Sequence, residues 1–577
     1  MNDKIWVCDD EPSQRFPVFT RGNVGEVFVD AVSPLTWSAF GRHAWEPGWR
    51  DAFCGIGAFR PDEFKPSGQP EITACFGGYI YINMSVTRVL AVRIPGMTVE
   101  AIDRSLFGDY PDVPPYRADP RDESAERTAA VSGWLQSLFT DDPLPVNAGN
   151  RERILARQAS RPDLPSLSDA DLVARFRDLI PEARRLFERH VRNGYGANVL
   201  VGLLEQICAA AGAADLASSL TAAVGEVDSA DPAFELWALS RVIRNASAVS
   251  AAFDDGAEGL LARLASNPAP DVRDFLDRWR SFLDRWGFLG TSVWDLRSPT
   301  YRTHPELVLR MLERMRRSPD TASPALRTGE LTARREAAIE TLSARLASNP
   351  AVQGQFVAAA RAAAGHLAAR ERGKTNCTRW NEEARACMRE LGLRFVRRGT
   401  LARWEHILML MLDELDGFVA DPTPFMAVIA ERAERLSWLE RKEPPFVFEG
   451  AAPPLSRFRD RGTAPPGTAA AGTQLQGLGV SPGRVTGRAR IVPSLEVDSE
   501  LEPGEIIVTG ITDASWGPLF LAAAGVVVET GAAVSHAAIV SREIGIPAVV
   551  SVTDAMRRIP PGCTLTVDGN TGTVTIG

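Results

Sequence analysis

Apolar positions change their spacing along the chain, and the changes mark its organisation. Up to about residue 110, turn signals mix with aromatics, as in "FPVFTRGNVGEVFVDAVSPLTWSAFGRHAWEPGW". The stretch "EITACFGGYIYINMS" alternates around a Gly-Gly pair and predicts a β-hairpin. From about 120 to 440, apolar residues recur every three or four positions, the spacing of amphipathic helices. "SDADLVARFRDLIPEARRLFERHV" opens on a capping Ser-Asp, and "VRDFLDRWRSFLDRW", "ARREAAIETLSARLA" and "TRWNEEARACMRELGLRFVRRG" follow. No fixed period links them, so the pattern describes a helical domain and not a repeat array.

The pattern then breaks. "EGAAPPLSRFRDRGTAPPGTAAAGTQ" is rich in Pro, Gly, Ala and Thr, and residues 449–475 are expected to be a flexible linker. After it, short β-type runs return: "GRVTGRARIV", "GEIIVTG", "AGVVVET", "PAVVSV" and the hairpin "TLTVDGNTGTVTI". They alternate with helical segments at about 514–524 and 536–544, which makes 476–577 a compact α/β domain. The expected fold is therefore multidomain: a small mixed N-terminal part, a mainly α-helical body and a C-terminal α/β domain.

Composition narrows the function classes. The 577 residues carry a net charge of −9, which argues against nucleic acid or an acidic membrane as main partner. The longest apolar run, "LFLAAAGVVV", is far short of the ~18–20 residues that span a bilayer. Seven scattered cysteines form no CxxC pair, and "MNDKIWVCDDEPSQRF" has no signal-peptide core, so a reduced, cytoplasmic protein without a metal site is expected. Lysine is almost absent, which leaves few candidates for a phosphate-binding cation.

Among six histidines, His536 stands apart. It follows "TGAAVS" and opens the helical run "HAAIVSREIG", with Ser535 as N-cap. A helix N-terminus favours anions, and a histidine there suits carriage of a phosphoryl group. A structural histidine at a helix start fits the same residues. An exposed position at the helix start is expected. Arg370 and Lys374, in "HLAARERGKTN", are four apart and share a helix face, either as a solvated basic stripe or as a pair of cations meeting an anion. The "GKT" within that run lacks the preceding glycine and the strand-turn-helix setting of a P-loop. The aromatics Trp37, Phe40, Trp45 and Trp49 are expected in the core, some lining an apolar pocket. His43, His190, His304, His366 and His406 show no metal-type spacing and are expected to be structural, with His366 one helical turn before Arg370.

Residues 476–577 resemble the swivelling phosphohistidine domain of the phosphoenolpyruvate-utilising enzymes, through "GLGVSPGRVTGRARIV", "ITDASWGPLFLAAAGVVVETGAAVSHAAIVSREIGIPAVV" and "LTVDGNTGTVTI". The resemblance implies that His536 is the residue phosphorylated in the catalytic cycle. Many members have threonine before the Ser-His pair, where this chain has Val534. "TRGNVGEVFVDAVSPLTW", "FGGYIYINMS", "RWGFLGTSVWDLRSPTY" and "ILMLMLDELDG" resemble the substrate-binding portion of rifampicin phosphotransferase and of the phenylphosphate synthase large subunit. Phe288 and Val293 stand where relatives often have a histidine and a glutamate or asparagine. The resemblance implies an acceptor-binding domain over 1–448, a role for Arg370 and Lys374 in meeting the phosphohistidine and the acceptor, and Trp37, His366, Asp295 and Arg297 as pocket residues. Nothing in the chain resembles the ATP-grasp domain of single-chain relatives. The expectation is that a separate ATP-grasp subunit holds ATP and Mg2+, cleaves ATP to AMP and phosphate, and loads His536. A small, phenolic hydroxyl compound is the expected acceptor. An antibiotic phosphotransferase component and a non-enzymatic phosphocarrier are the alternatives.

Overall fold

The computed structural model describes residues 5–577 except 67, 108–109, 111, 226, 229, 257, 462–468, 494–500, 503, 513–515 and 533–534. Helix accounts for 57% of the chain, and no described helix is long and apolar enough to cross a membrane. Two compact units divide the chain. The first comprises Met1–Val199, Trp294–Arg297 and Gly365–Pro465; the second comprises Leu200–Val293, Ser298–Ala364 and Pro466–Gly577.

The first unit is built on an antiparallel sheet in the order Thr73–Phe76, Tyr79–Asn83, Val18–Thr20, Val447–Glu449. The hairpin read from the sequence is present, with Phe76 opposite Tyr79. Gly77 and Gly78 have φ of 58° and 82°, the two left-handed positions that this tight turn requires. A Cβ on Gly77 would also stand 2.3 Å from the Phe458 ring. Helices complete the unit. Asp169–Asp178 is capped by Ser168, whose Oγ accepts from the Asp171 N–H at 3.1 Å, as the Ser-Asp signal implied. The first part of Ile180–Ala210 and the latter part of the 48-residue helix Pro350–Arg397 also belong here.

The second unit holds an eight-stranded sheet in the order Gln474–Gln476, Thr573–Ile576, Thr564–Asp568, Arg484–Ile491, Ile506–Thr509, Gly525–Val528, Ala548–Val550, Leu478–Ser481. Its middle strands, from Arg484–Ile491 to Ala548–Val550, run parallel. Side chains alternate across this sheet. Ile506, Val508, Val527 and Val549 face one apolar cluster with Leu565 and Val567. Ile507, Val526, Val528 and Val550 face another, which continues through Phe520, Ala537 and Ile544 into Leu236, Leu239, Trp279 and Leu312 of the helical segments.

The units therefore cut the chain differently from the boundaries read off the sequence. Residues 200–293 and 298–364 were assigned to an acceptor-binding domain over 1–448, yet they share a core with the C-terminal α/β domain. Their apolar stripes revealed that they were buried, but not against what. Both described ends of the expected linker 449–475 are ordered, while 462–468 lie outside the described residues. Glu449 pairs with Val18, Arg459–Asp460 pairs with Lys442–Glu443, and Phe458 is buried. At the other end Gly472 donates to the Ile576 carbonyl at 2.7 Å, and Gln474–Gln476 is an edge strand. Low apolar content concealed this order, because backbone pairing and one phenylalanine anchor the segment without an apolar run.

Candidate active site: a helix-start histidine and a cation–aromatic cluster

In the second unit the strand Gly525–Val528 leads to the helix His536–Ile544, which returns to the parallel strand Ala548–Val550. The helix begins at the carboxyl ends of the parallel strands, where α/β sheets place their ligand sites. Ser535 Oγ accepts from the Ala538 N–H at 3.4 Å, and Gly545 closes the helix with φ of 73°. His536 Nδ1 lies 3.3 Å from Thr512 Oγ1, and its ring centroid lies 6.2 Å from that of Phe520. Thr512 follows the neighbouring strand Ile506–Thr509, so it also stands at the carboxyl edge. Val534, which replaces the threonine of many relatives, lies outside the described residues. The hydroxyl seen at His536 comes instead from a residue 24 positions away.

His536 is only 3% exposed, contrary to the exposed helix start expected from the small residues before it. Every residue of its helix is buried, because the helical segments of the same unit cover what the sheet does not. Thr328 Oγ1 donates to the Glu543 carbonyl at 3.2 Å, and the Val224 N–H donates to Glu543 Oε1 at 3.3 Å. Burial raises the Glu205 carboxyl above its ordinary range, and Arg542 opposes the shift.

In the first unit Arg370 and Lys374 lie one turn apart on the helix Pro350–Arg397, both half-buried. Arg370 Nη1 pairs with Glu371 at 2.5 Å. Lys374 makes no ion pair among the described residues. Between them is Gly373, where a Cβ would stand 3.4 Å from His190 Cα and 3.6 Å from Asn147 Oδ1. These are ordinary van der Waals distances, and they place His190 beside the helix turn that carries the two cations. Burial lowers the His190 pKa to about 3, helped by the Arg370 and Lys374 charges and opposed by Glu371 and the Arg370 backbone. Its surface is partly open, but Nδ1 is buried and has no hydrogen-bond partner among the described residues. The imidazole lies 6.2 Å from the Trp294 ring and 6.1 Å from Phe187. Trp45 meets Trp294 edge-on at 5.7 Å, and Trp49 meets Phe187 at 5.9 Å. The result is a largely buried aromatic cluster beside two cations and a neutral imidazole.

Three of the other candidates, Trp37, Asp295 and Arg297, have structural partners, whereas both ring nitrogens of His366 are buried without a hydrogen-bond partner among the described residues. Trp37 is fully buried and donates Nε1–H to Asp10 Oδ2 at 2.9 Å. Asp295 accepts from the Ser33 N–H at 2.9 Å, Ser33 Oγ at 2.7 Å and Thr36 Oγ1 at 2.9 Å. Arg297 pairs with Glu440. Arg385, itself buried, donates to the Asp295 and Leu296 carbonyls, both at 3.1 Å. These bonds fix the segment that presents Trp294. His366 is 5% exposed, burial lowers its pKa against the pull of Leu138, Asp142 and Asp141, and a Cβ on Gly196 would stand 2.9 Å from its Nδ1. His190, expected to be structural, lies in an amphipathic run, and nothing in its sequence neighbourhood signals its place beside Arg370 and Lys374.

The C-terminal sheet is mixed, and a histidine heads its crossover helix. Residues 501–572 match the model of the PEP-utilising enzyme mobile domain, and 187–371 match the rifampicin phosphotransferase fourth domain. An uncharacterized protein of Mycobacterium tuberculosis is 28% identical over 97% of this chain and 61% of its own length. A rifampicin phosphotransferase of a Streptomyces species is 31% identical over 63% of this chain and 41% of its own. The prodigiosin synthesizing transferase PigC of Serratia marcescens is 44% identical over 25% of this chain and 16% of its own. Residues 187–371 and 501–572 are thus similar to domains of the PEP-utilising, rifampicin phosphotransferase-like proteins. It spans about 61% of the length of the mycobacterial relative.

Proposed function

We propose that this chain carries the phosphohistidine and acceptor-binding steps of a dikinase-type phosphotransferase. The observation that carries the reading is His536 at the head of a buried helix inside the mobile-domain match, with Thr512 on Nδ1. With Nδ1 held, Nε2 is the nitrogen that takes the phosphoryl group. An ATP-grasp portion outside these residues, holding ATP and Mg2+, loads it with the β-phosphoryl. Arg370 and Lys374 then receive the group and offset its charge while an acceptor hydroxyl attacks. His536 belongs to the second unit and the two cations to the first, and the reading has the histidine move between loading and transfer. A phenol is placed first as acceptor, on the resemblance of this unit's motifs to the phenylphosphate synthase large subunit.

A second reading, a rifampicin-type acceptor, is supported by the fourth-domain match and the Streptomyces relative. The test is incubation of the chain with an ATP-grasp partner and ATP labelled at the β-phosphate, before and after adding phenols or rifampicin. Acid-labile, alkali-stable label on the wild type and none on His536→Asn is expected, with discharge onto one acceptor class. Label retained in a folded His536→Asn protein would remove the carrier role. Discharge onto rifampicin alone would replace the phenolic reading.

A further inference from the structure

We propose that His190 is a further catalytic residue of this site, the group that takes the proton from the acceptor hydroxyl as the phosphoryl leaves His536. The inference rests on the transfer reading above and names the proton acceptor that this reading leaves unassigned. Four observations carry it. His190 packs against the helix turn that holds Arg370 and Lys374, its Cα 3.4 Å from where a Cβ on Gly373 would stand. Its Nδ1 is buried and has no hydrogen-bond partner among the described residues. Its ring centroid lies 6.2 Å from that of Trp294, with the planes tilted by 35°. The neighbouring carboxylate is committed elsewhere, since Glu371 is paired with Arg370 and is 2% exposed.

The charged groups that act on His190 are Arg370, Lys374 and Glu371. In the resting protein the two cations and burial hold the imidazole neutral. A dianionic phosphoryl arriving between the cations offsets their charge, so the ring becomes a stronger base only when the loaded carrier is present. In the transfer step an O–P bond forms as the P–N bond to His536 breaks. The bonding pair stays on the departing ring nitrogen, and the hydroxyl proton passes to Nδ1 of His190. His190 later releases that proton to solvent, and the His536 ring takes one up.

The test uses wild-type protein loaded on His536, isolated, and mixed with phenol or p-nitrophenol in single-turnover experiments from pH 5 to 9. His190→Asn should load normally and transfer to phenol about 100-fold more slowly. The penalty should shrink with p-nitrophenol, whose more acidic hydroxyl needs less help, and the acidic limb of the wild-type pH–rate profile should flatten. A purely structural role would slow both acceptors alike. His190→Gln provides a second amide variant should His190→Asn fold poorly. Transfer within threefold of wild type, or an equal penalty for both acceptors, overturns the proposal and leaves the carrier reading standing. If wild-type phosphoprotein discharges to no hydroxyl acceptor, both fall together.

Discussion

Replacing Lys374 by alanine separates chemistry from folding more cleanly than any other change at the site. The ammonium is half-buried and makes no ion pair among the described residues, so its removal strands no buried partner. A unit charge ~4 Å from a phosphoryl oxygen is worth about 4 kcal/mol at an effective dielectric constant near 20. Only the part gained between phosphohistidine and transition state counts, and loss of one such donor usually costs about 3–4 kcal/mol, or roughly 100–1,000-fold in rate. Stability should fall by about 1 kcal/mol or less, as for changes that create neither a cavity nor an orphaned charge. Arg370→Ala is the contrasting variant. It takes the guanidinium away from Glu371, which is 2% exposed, and so should lower stability as well as rate. The assay is rapid-quench transfer from preloaded protein, with loading measured separately and urea melts of each variant. Transfer by Lys374→Ala within threefold of wild type would refute the charge argument. Equal damage to loading would show that the residue acts through the fold.

Thr512→Val removes the hydroxyl that holds His536 Nδ1 and should slow loading about tenfold, the worth of one hydrogen bond; label incorporation over time measures it. Phe458→Ala should destabilise the first unit by about 3 kcal/mol, because its buried ring fills the space under Gly77 and Tyr79. An unchanged denaturation midpoint would return residues 449–461 to the linker. His190 is held near pKa 3 when folded and takes the ordinary 6.5 when unfolded, so the unfolded state binds more protons in that window. Stability should therefore fall as pH drops from 6.5 toward 3, by up to about 2 kcal/mol at pH 5. Melts of His190→Asn should lack that part of the slope.

What the sequence revealed, and what it hid, follows from the range of the interactions. The Gly77-Gly78 hairpin, the Ser168 cap and the helix from His536 were legible because each is set by neighbours within a few residues. The strands of the carrier sheet were legible for the same reason. Burial of His536 was not, since helices hundreds of residues earlier complete its surroundings. Thr512 and His190 acquire their meaning only through folding, which brings one 24 residues back to His536 and the other beside Gly373. Asp295 and Arg297 are expected as pocket residues because they lie within the stretch that carries the family resemblance. The bonds to Ser33, Thr36 and Glu440 instead make them supports for Trp294.

The apolar cluster that runs from Val526 and Val550 into Leu236 and Trp279 bears on portability. A carrier whose two sheet faces were both closed by its own helices could be cut out, fused to another enzyme and expected to behave. Here only the face of Val508, Val527 and Leu565 is sealed from within. Residues 476–577 expressed alone would present Leu519, Phe520 and Ile544 to water and should associate or bind hydrophobic dyes. Grafting experiments, and any shuffling of such parts between proteins, would have to move residues 200–293 and 298–364 along with the histidine. The transferable module is thus the helical cradle together with the carrier.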